Sequence, residues 1–599
     1  MNNFDGWDYA VLIIILIISA AIGIYYRFSG GKQKTTKEYL MADQSMSALP
    51  VSFSLMASFM SAVTLLGVSK ESYEYGMIFC VINISYIIST PIAAYLFLPV
   101  FYKMRTTSVY EYLERRFGHT MRMAASLAFS LQMILYMGIV LYAPALALEA
   151  VTGINKVTAI LTIGIVCTFY STVGGMKAVL ITDVFQSLLM FAGIYSVIIV
   201  SAIKAGGLKD IWNVAVDSGR INMDEFSLDP TVRHTWWTLI IGGMVTYLSL
   251  YGVNQTQVQR LLSVKNLKGA QAALWWNLPI LSCLSFSTLF SGLAIFYYYR
   301  NCDPVLSGRI KSRDQLMPLF AVDTMGEYPG LCGLFVSGIF SASLSTVSSS
   351  VSSLSAVTLE DYIKPAYKKI FKRTMTDTST TLPSKIMACI YGIVCIALAF
   401  TAGSMGGVLQ ASLTIFGVVG GPLLAVFTLG VGTTRANQRG VLIGLLTGLV
   451  FSFCIGFGGP KPPPVTLPVS DEGCLQANVT LVAESLSLVE EMFNGTTTTT
   501  TTTPANIPAP TDYFWLYRIS YLYLCVFAFI LTLVVGYGAS RILEYFKLAD
   551  NSQIYLDSLR RQIDYDLFAP PLSRKLRERD TNDELSKLNY CDTTTMVLG

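Results

Sequence analysis

The sequence predicts an all-α, polytopic membrane protein, and three observations carry that reading. The chain is 53% hydrophobic and only 13% charged, with a mean hydropathy of +0.53; a soluble domain carries roughly 25% charged residues. Its apolar runs recur at lengths of about 20 residues, enough to cross the hydrocarbon core. The runs are continuously apolar instead of alternating, which selects helices over a barrel.

The first run, "YAVLIIILIISAAIGIYY" (9–26), follows Asp5 and Asp8 and lacks the basic start of a signal peptide. It is also too long for a signal core, so it reads as a retained span. Arg27, Lys32, Lys34 and Lys37 come after it. By the positive-inside rule this sets the N-terminus outside and the loop inside. About thirteen spans follow from length and hydropathy: 8–26, 50–69, 78–102, 123–149, 156–173, 178–203, 236–260, 271–299, 329–357, 384–403, 407–431, 438–458 and 514–541. Basic residues concentrate in the loops expected inside, as at Lys103, Arg115, Arg116, Arg122, Lys177, Lys265 and Lys268, and again from Lys364 to Arg373 and at Arg435 and Arg439. Lys70, Lys204 and the stretch 300–313 are exceptions on the outer side. An odd number of spans leaves the C-terminus in the cytoplasm.

The segment 459–513 lies on the expected outer side. It carries sequons at Asn478 and Asn494, then a run of threonines (Thr496 to Thr503) and several prolines. That composition is expected of a disordered, glycosylated extracellular loop. Sequons at Asn83 and Asn254 fall inside spans and are expected to stay unmodified. The tail from Lys547 is polar and charged. Eleven cysteines are scattered without a CxxC pair. Cys302 and Cys474 both fall in outer loops, so a disulfide between them is one pairing the topology allows, although spacing alone does not set connectivity.

The only histidines are His119 and His234, both in expected loops, and no HExxH, P-loop or GxSxG motif appears. The sequence therefore gives no support to an enzyme; what remains inside the spans is neutral oxygen donors and one carboxylate. "SASLSTVSSSVSSLSA" (341–356) sets Ala342, Ser345, Thr346, Ser349 and Ser353 at helical spacings on one face. Small hydroxyl residues of this kind serve close helix packing. They also serve a hard cation, which prefers oxygen ligands. "SLMASFMSAVTLLG" (54–67) and "YGVNQTQVQR" (251–260) are polar interruptions of the second and seventh spans. Broken helices five spans apart are what two inverted five-helix repeats produce. A polar helix end near the inner face is the competing reading of the second stretch. Asp183 is the one acid that reads as deep in a span, a functional position by default; pairing with Lys177 is its structural alternative.

Five motifs then carry a resemblance: "TSVYEYLERRFG" (107–118), "GGMKAVLITDVFQ" (174–186), "YGVNQTQVQR" (251–260), "DQLMPLF" (314–320) and "LSTVSSSVSSLSAVTLEDYIKP" (344–365). Together they resemble the solute:sodium symporter family, in the branch holding sodium-coupled monocarboxylate, multivitamin and iodide transporters. The resemblance implies a LeuT-type 5+5 inverted repeat. On it the chain divides into 1–49 (N-terminus, first span and loop), 50–203 (first repeat), 204–235 (outer loop), 236–431 (second repeat), 432–541 (two further spans around loop 459–513) and 542–599 (cytoplasmic tail).

By matching motifs, the resemblance implies a sodium site formed by the carbonyls of Ala57, Met60 and Ala342 and the hydroxyls of Ser345 and Thr346. It implies a second cation site at Ser58, Asp183, Ser348 and Ser349, used by only some members. Substrate contacts are expected at Thr64, Asn254, Gln255, Gln410 and Thr414. No Lys or Arg is expected at mid-depth, so an anion would rely on sodium and half-helix N-termini for counter-charge. "ASFMSAVTLLG" (57–67), "GGVLQASL" (406–413) and "VSSLSAVTLEDYIKP" (351–365) look closest to monocarboxylate members. Multivitamin members usually carry Gln where this chain has Met60 and Ala where it has Thr64. The expectation is a plasma-membrane symporter importing small organic anions with Na+ as the co-transported ion. The alternatives are a biotin/pantothenate or iodide carrier, or a receptor or channel on the same fold. Nothing in the sequence calls for nucleic acid or an obligate protein partner.

Overall fold

The computed structural model describes residues 4–28, 36–104, 106–376, 379–403, 407–474, 513–546 and 564–579. The sequons at Asn478 and Asn494 lie outside the described residues. Among those described, ten helices are long and apolar enough to span a membrane, or eleven with one bent pair counted as a single span. Two shorter apolar helices complete the expected positions. The elements that matter below are α1 (Gly6–Phe28), α2 (Ala48–Phe59), α3 (Ala62–Tyr75), α4 (Met77–Met104), α5 (His119–Thr152), α6 (Lys156–Phe169) and α7 (Gly175–Ala205). They continue with α8 (Thr238–Gly252), α9 (Gln255–Leu261), α10 (Leu267–Tyr299), α11 (Leu331–Phe371), α12 (Thr381–Ala402), α13 (Val408–Gly432), α14 (Gln438–Phe457) and α15 (Tyr521–Tyr545). Among the described residues, one isolated bridge joins Met46 to Val264.

Three departures from the expected spans have local causes. The runs 156–173 and 178–203 are one helical stretch, bent where Gly175 adopts φ +67° and ψ 168°. A side chain there would be strained, and glycine is not. The second span breaks at Met60–Ser61 alone; Ser54 and Ser58 stay helical. The seventh span breaks at Val253–Asn254, and the Asn254 side chain accepts from Thr256 N, capping α9. That capped restart settles "YGVNQTQVQR" as a broken helix.

Outside the membrane, Cys302 and Cys474 form a disulfide with a Cα–Cα distance of 5.1 Å. Backbone bonds Asp303 N to Ser470 O (3.0 Å) and Leu467 N to Glu74 O (2.8 Å) hold the same segment against α3.

Helices α14 and α15 pack through a seam of small residues. Gly440, Gly444 and Gly448 recur every four residues on α14 and meet Ser540, Gly536 and Thr532 of α15. A methyl on Gly444 would stand 2.6 Å from Gly536 Cα. Without water to drive association, helices in lipid gain from such close backbone approach. Gly444→Leu is expected to cost at least about 1–3 kcal/mol by overpacking, read as a lower unfolding temperature in detergent. Gly538→Leu, which meets nothing within 4 Å, is expected to leave that temperature unchanged. Equal losses in the two variants would remove the seam from this account.

Candidate ion and substrate site

The site is built on the break between α2 and α3. Met60 leaves the helix at φ −77°, ψ 85°, Ser61 is extended at φ −85°, ψ 175°, and the two helices bend by 63°. The C-terminal carbonyls of α2 and the N-terminal amides of α3 thus meet at one buried point. A helix carries partial negative charge at its C-terminus and positive at its N-terminus, so the break offers a cation one pole and an anion the other. Neither Ser61 nor any other side chain caps α3, and its first amides are left for another partner.

α11 crosses this break. Thr346 Oγ1 lies 3.4 Å from Ala57 O and 3.0 Å from Ala342 O. Ala57, Met60, Ala342, Ser345 and Thr346 are all buried, and of these the α2–α11 crossing brings Ala57, Ala342 and Thr346 into contact. The Ser345 hydroxyl donates instead to Asp183 Oδ1 of α7 at 2.6 Å. Asp183 Oδ2 accepts from Ser54 at 2.5 Å. Ser58 Oγ lies 3.0 Å from Ser349 Oγ, and Ser348 donates to Ser345 O at 3.1 Å. Ser58, Asp183 and Ser349 therefore belong to one hydroxyl–carboxylate cluster beside the first group.

The charge partner of Asp183 differs from the sequence-based expectation. Lys177 is exposed. Arg260 is fully buried, with Nη2 3.6 Å from Asp183 Oδ2. The span list placed Arg260 at an inner helix end, with no basic group inside. The break at Asn254 makes α9 a separate half-helix, and Arg260 Nη1 donates to Thr256 O at 2.8 Å. That bond folds the side chain back along α9 toward α2 and α7.

A cavity adjoins the break. Its wall includes Phe59, Met60 and Thr64, Tyr86 and Tyr136, and Leu409, Ser412, Leu413 and Phe416. Of the expected substrate contacts, only Thr64 lines it. Asn254 is spent capping α9. Gln255 accepts from Val109 N (2.8 Å) and donates to Thr107 O (2.7 Å), stitching α9 to the 107–118 motif. α13 turns Leu409, Ser412, Leu413 and Phe416 to the wall at helical spacing. That leaves Gln410 and Thr414 on neighbouring faces: Gln410 accepts from Arg233 (2.9 Å) and Thr414 faces Gly456.

Buried acids beyond Asp183 mark the two ends of the bundle. At one end, α3 extends to Tyr75 and carries Lys70, Glu71 and Glu74. Arg233 bonds Glu71 at 2.6 Å and sits over the Tyr75 and Tyr521 rings. Lys70 pairs with Asp314 (3.1 Å) and Glu74 with Arg313 (3.2 Å). His234, expected in an open loop, is buried with Nε2 3.2 Å from Glu71. Burial holds its pKa below the ordinary histidine value against the opposing pull of Glu71. The ring is therefore neutral at neutral pH, and Arg233 supplies the positive charge. At the opposite end, Arg122 joins Asp361 (2.5 Å) to Glu114 (2.5 Å), and Ser108 donates to Asp361 (3.1 Å). Two of the sequence motifs, 107–118 and 344–365, meet through that arginine. "SKESYEYG" (69–76), dense in charge just past an apolar run, is the available signal for the Glu71–Arg233 network.

Removing Arg233 would strand Glu71, a buried carboxylate, beside a neutral ring. Arg233→Ala is expected to destabilise the protein by about 3–5 kcal/mol. The double variant Glu71→Gln/Arg233→Gln, with both charges gone, is expected to recover most of that loss in thermal unfolding. A double variant no more stable than the single one would deny the pairing its role.

The chain was then compared with known proteins. A model of the sodium:solute symporter family matches residues 39–448. A Drosophila melanogaster protein provisionally named a sodium-dependent multivitamin transporter is 58% identical over 97% of this chain and 93% of its own. Human sodium-coupled monocarboxylate transporter 1 is 45% identical over 90% of this chain and 87% of its own. The rabbit (Oryctolagus cuniculus) sodium-dependent multivitamin transporter is 41% identical over 89% and 82%. A Na+-coupled sialic acid symporter solved in a substrate-bound, outward-open state superposes with a TM-score of 0.72 at 23% identity, covering 90% of this chain and 98% of that one; it supports the LeuT-type fold. With its two broken helices and a family match across most of its length, the chain belongs to the sodium:solute symporter family.

Proposed function

We propose that this symporter couples inward sodium flow to the uptake of small monocarboxylates by alternating access. The observation that supports it is the α2–α3 break beside an apolar cavity. The carbonyl pole, with Ala57, Met60, Ala342, Ser345 and Thr346, suits a sodium ion. The amide pole, with Thr64 on the cavity wall, suits a carboxylate. The cavity wall is mostly aromatic and aliphatic, with hydroxyls from Thr64, Thr246, Ser285 and Ser412, and includes no Lys or Arg, so the bound ion supplies the counter-charge and the substrate's carbon skeleton meets largely apolar surface. Ser58, Asp183, Ser348 and Ser349 form a second cation site.

A multivitamin substrate is the second reading, favoured by the similarity to the Drosophila protein. Biotin and pantothenate also present one carboxylate on a largely uncharged body, so the same poles serve them. Met60 and Thr64 favour the smaller acids. Sodium-dependent uptake of labelled lactate, butyrate, nicotinate, biotin, pantothenate and iodide, compared in one expression system, decides between the readings. Uptake of iodide alone would overturn the carboxylate assignment.

The repeats 50–203 and 236–431 are the bodies that move, and 432–541 is peripheral. The N-terminus and loop 459–513 are extracellular, the tail 542–599 is cytoplasmic, and the protein resides in the plasma membrane. Glycosidase is expected to shift the wild type and leave the Asn478→Gln/Asn494→Gln variant unchanged. A tag in this loop reachable only after permeabilisation would reverse the orientation.

Ser345→Ala and Thr346→Ala each remove one oxygen from a small-ion shell. Half-saturating sodium is expected to rise about tenfold, the equivalent of roughly 1.4 kcal/mol. Substrate affinity falls with it and recovers at high sodium, because the two ligands stabilise the same state. Ser355→Ala is the control: its hydroxyl bonds Val351 O of its own helix at 2.7 Å. Three variants impaired equally at every sodium concentration would mark the serine face as packing.

A further inference from the structure

Arg260 holds two of the groups that a second cation would need, Asp183 and Ser349. Its Nε donates to Ser54 Oγ at 2.9 Å, and Ser54 in turn donates to Asp183 Oδ2 at 2.5 Å. Its Nη2 donates to Ser349 Oγ and stands 3.6 Å from Asp183 Oδ2. Ser349 donates on to Ser345 O at 2.5 Å and neighbours Ser58 at 3.0 Å. Arg260 and Asp183 are both fully buried. A cation touching Asp183 and Ser349 together would have to stand where Nη2 stands, and two positive charges do not share that place.

We propose that Arg260 is a tethered counter-cation that takes the place of a second sodium ion at Asp183 when that ion is absent. The proposal rests on the sodium-coupled reading above and adds a residue that governs it. The physical need is plain. A carboxylate buried among helices without a counter-charge costs several kcal/mol, so an ion-free carrier could not readily return across the membrane with Asp183 bare. Arg260 neutralises it, and its element is built to move. α9 is a half-helix separated from α8 by the break at Val253–Asn254. Glutamine side chains stitch it to other segments, Gln259 to Leu40 O (2.8 Å) and Gln255 to the 107–118 motif. Rearrangement of those inner segments shifts α9 and carries the guanidinium toward or away from Asp183. Sodium and Arg260 then alternate at one carboxylate, and the competition sets how tightly the second ion binds.

The test is a sodium titration of thermal unfolding on the purified full-length protein, with N-methylglucamine keeping ionic strength constant. Arg260→Gln keeps hydrogen-bonding capacity for Ser54 and Ser349 and removes the competing charge. Its sodium midpoint is expected to fall fivefold or more below wild type, a gain in affinity that structural damage would not produce. In Asp183→Asn/Arg260→Gln the steepness of the sodium response is expected to drop below that of Arg260→Gln. A midpoint within twofold of wild type, or higher, overturns the proposal. So does a lowered midpoint whose steepness survives in the double variant, because the gain would then come from another site. If Arg260→Gln is not recovered folded, Arg260→Lys takes its place. A compact ammonium lacks the planar fork that reaches Ser54, Thr256 O and Ser349 from three separate nitrogens, so a smaller fall in the same direction is expected and an unmoved midpoint overturns the idea. A wild type indifferent to sodium would instead overturn sodium coupling itself, whatever Arg260 does.

Discussion

A carboxylate sealed among membrane helices must be neutralised, and the centre of this molecule is organised around that requirement. Asp183 has no exposed surface. Its two oxygens collect hydroxyls from α2 and α11, and a guanidinium arrives from α9. Four helices are thereby pinned to one point: α7, which carries the acid, and α2, α9 and α11, which carry its partners. Two of the four, α2 and α9, end or begin at a break in the chain. The buried carboxylate thus draws partners from elements that adjoin a break in a span.

The serine-rich face of α11 shows how hydroxyls divide between packing and chemistry. Ser337, Ser353 and Ser355 bond carbonyls one turn earlier in their own helix. This quiets a polar group in an apolar setting and lets neighbouring backbones approach. Ser343, Ser345, Thr346 and Ser349 also reach across to α5, α7, α2 and α9. Composition cannot separate these groups, since every hydroxyl in the run has the same local option. Only the identity of the neighbouring helix decides which bond forms.

Charge networks close the bundle at each end, and they differ in kind. One gathers loop residues Arg233, His234, Arg313 and Asp314 onto the last turns of α3, with the Cys302–Cys474 disulfide tying down the adjoining segment. The other runs through Arg122, linking α5, the 107–118 motif and the end of α11. Buried pairs of this sort add little net stability over apolar packing, yet stranding one partner is costly. They therefore suit a protein whose ends must part and re-form with the same register. The glycine seam between α14 and α15 has the opposite character, a close backbone contact that no rearrangement of charge would loosen.

What the sequence determined by itself was the helical membrane class, the order of its spans and the two positions where spans break. Each follows from local physics: the length of an apolar run, the placement of Lys and Arg, the cluster of polar side chains at residues 54–64 and 251–260. It also made the serine face of 341–356 and Asp183 conspicuous as polar groups inside apolar helices, while the choice of Ser345 and Thr346 within that face came from the motif resemblance. Tertiary structure alone decided the partners. Arg260, the last residue of the seventh expected span, reads as an ordinary helix-end charge until α9 turns it inward, and nothing along the sequence pairs Glu71 with Arg233. Gln255, Gln410 and Thr414 read as cavity contacts, yet helical phase and capping set them on other faces. The reason is the same in each case. Burial and pairing are properties of contacts between segments far apart in the chain, and no window along the sequence contains both sides of such a contact.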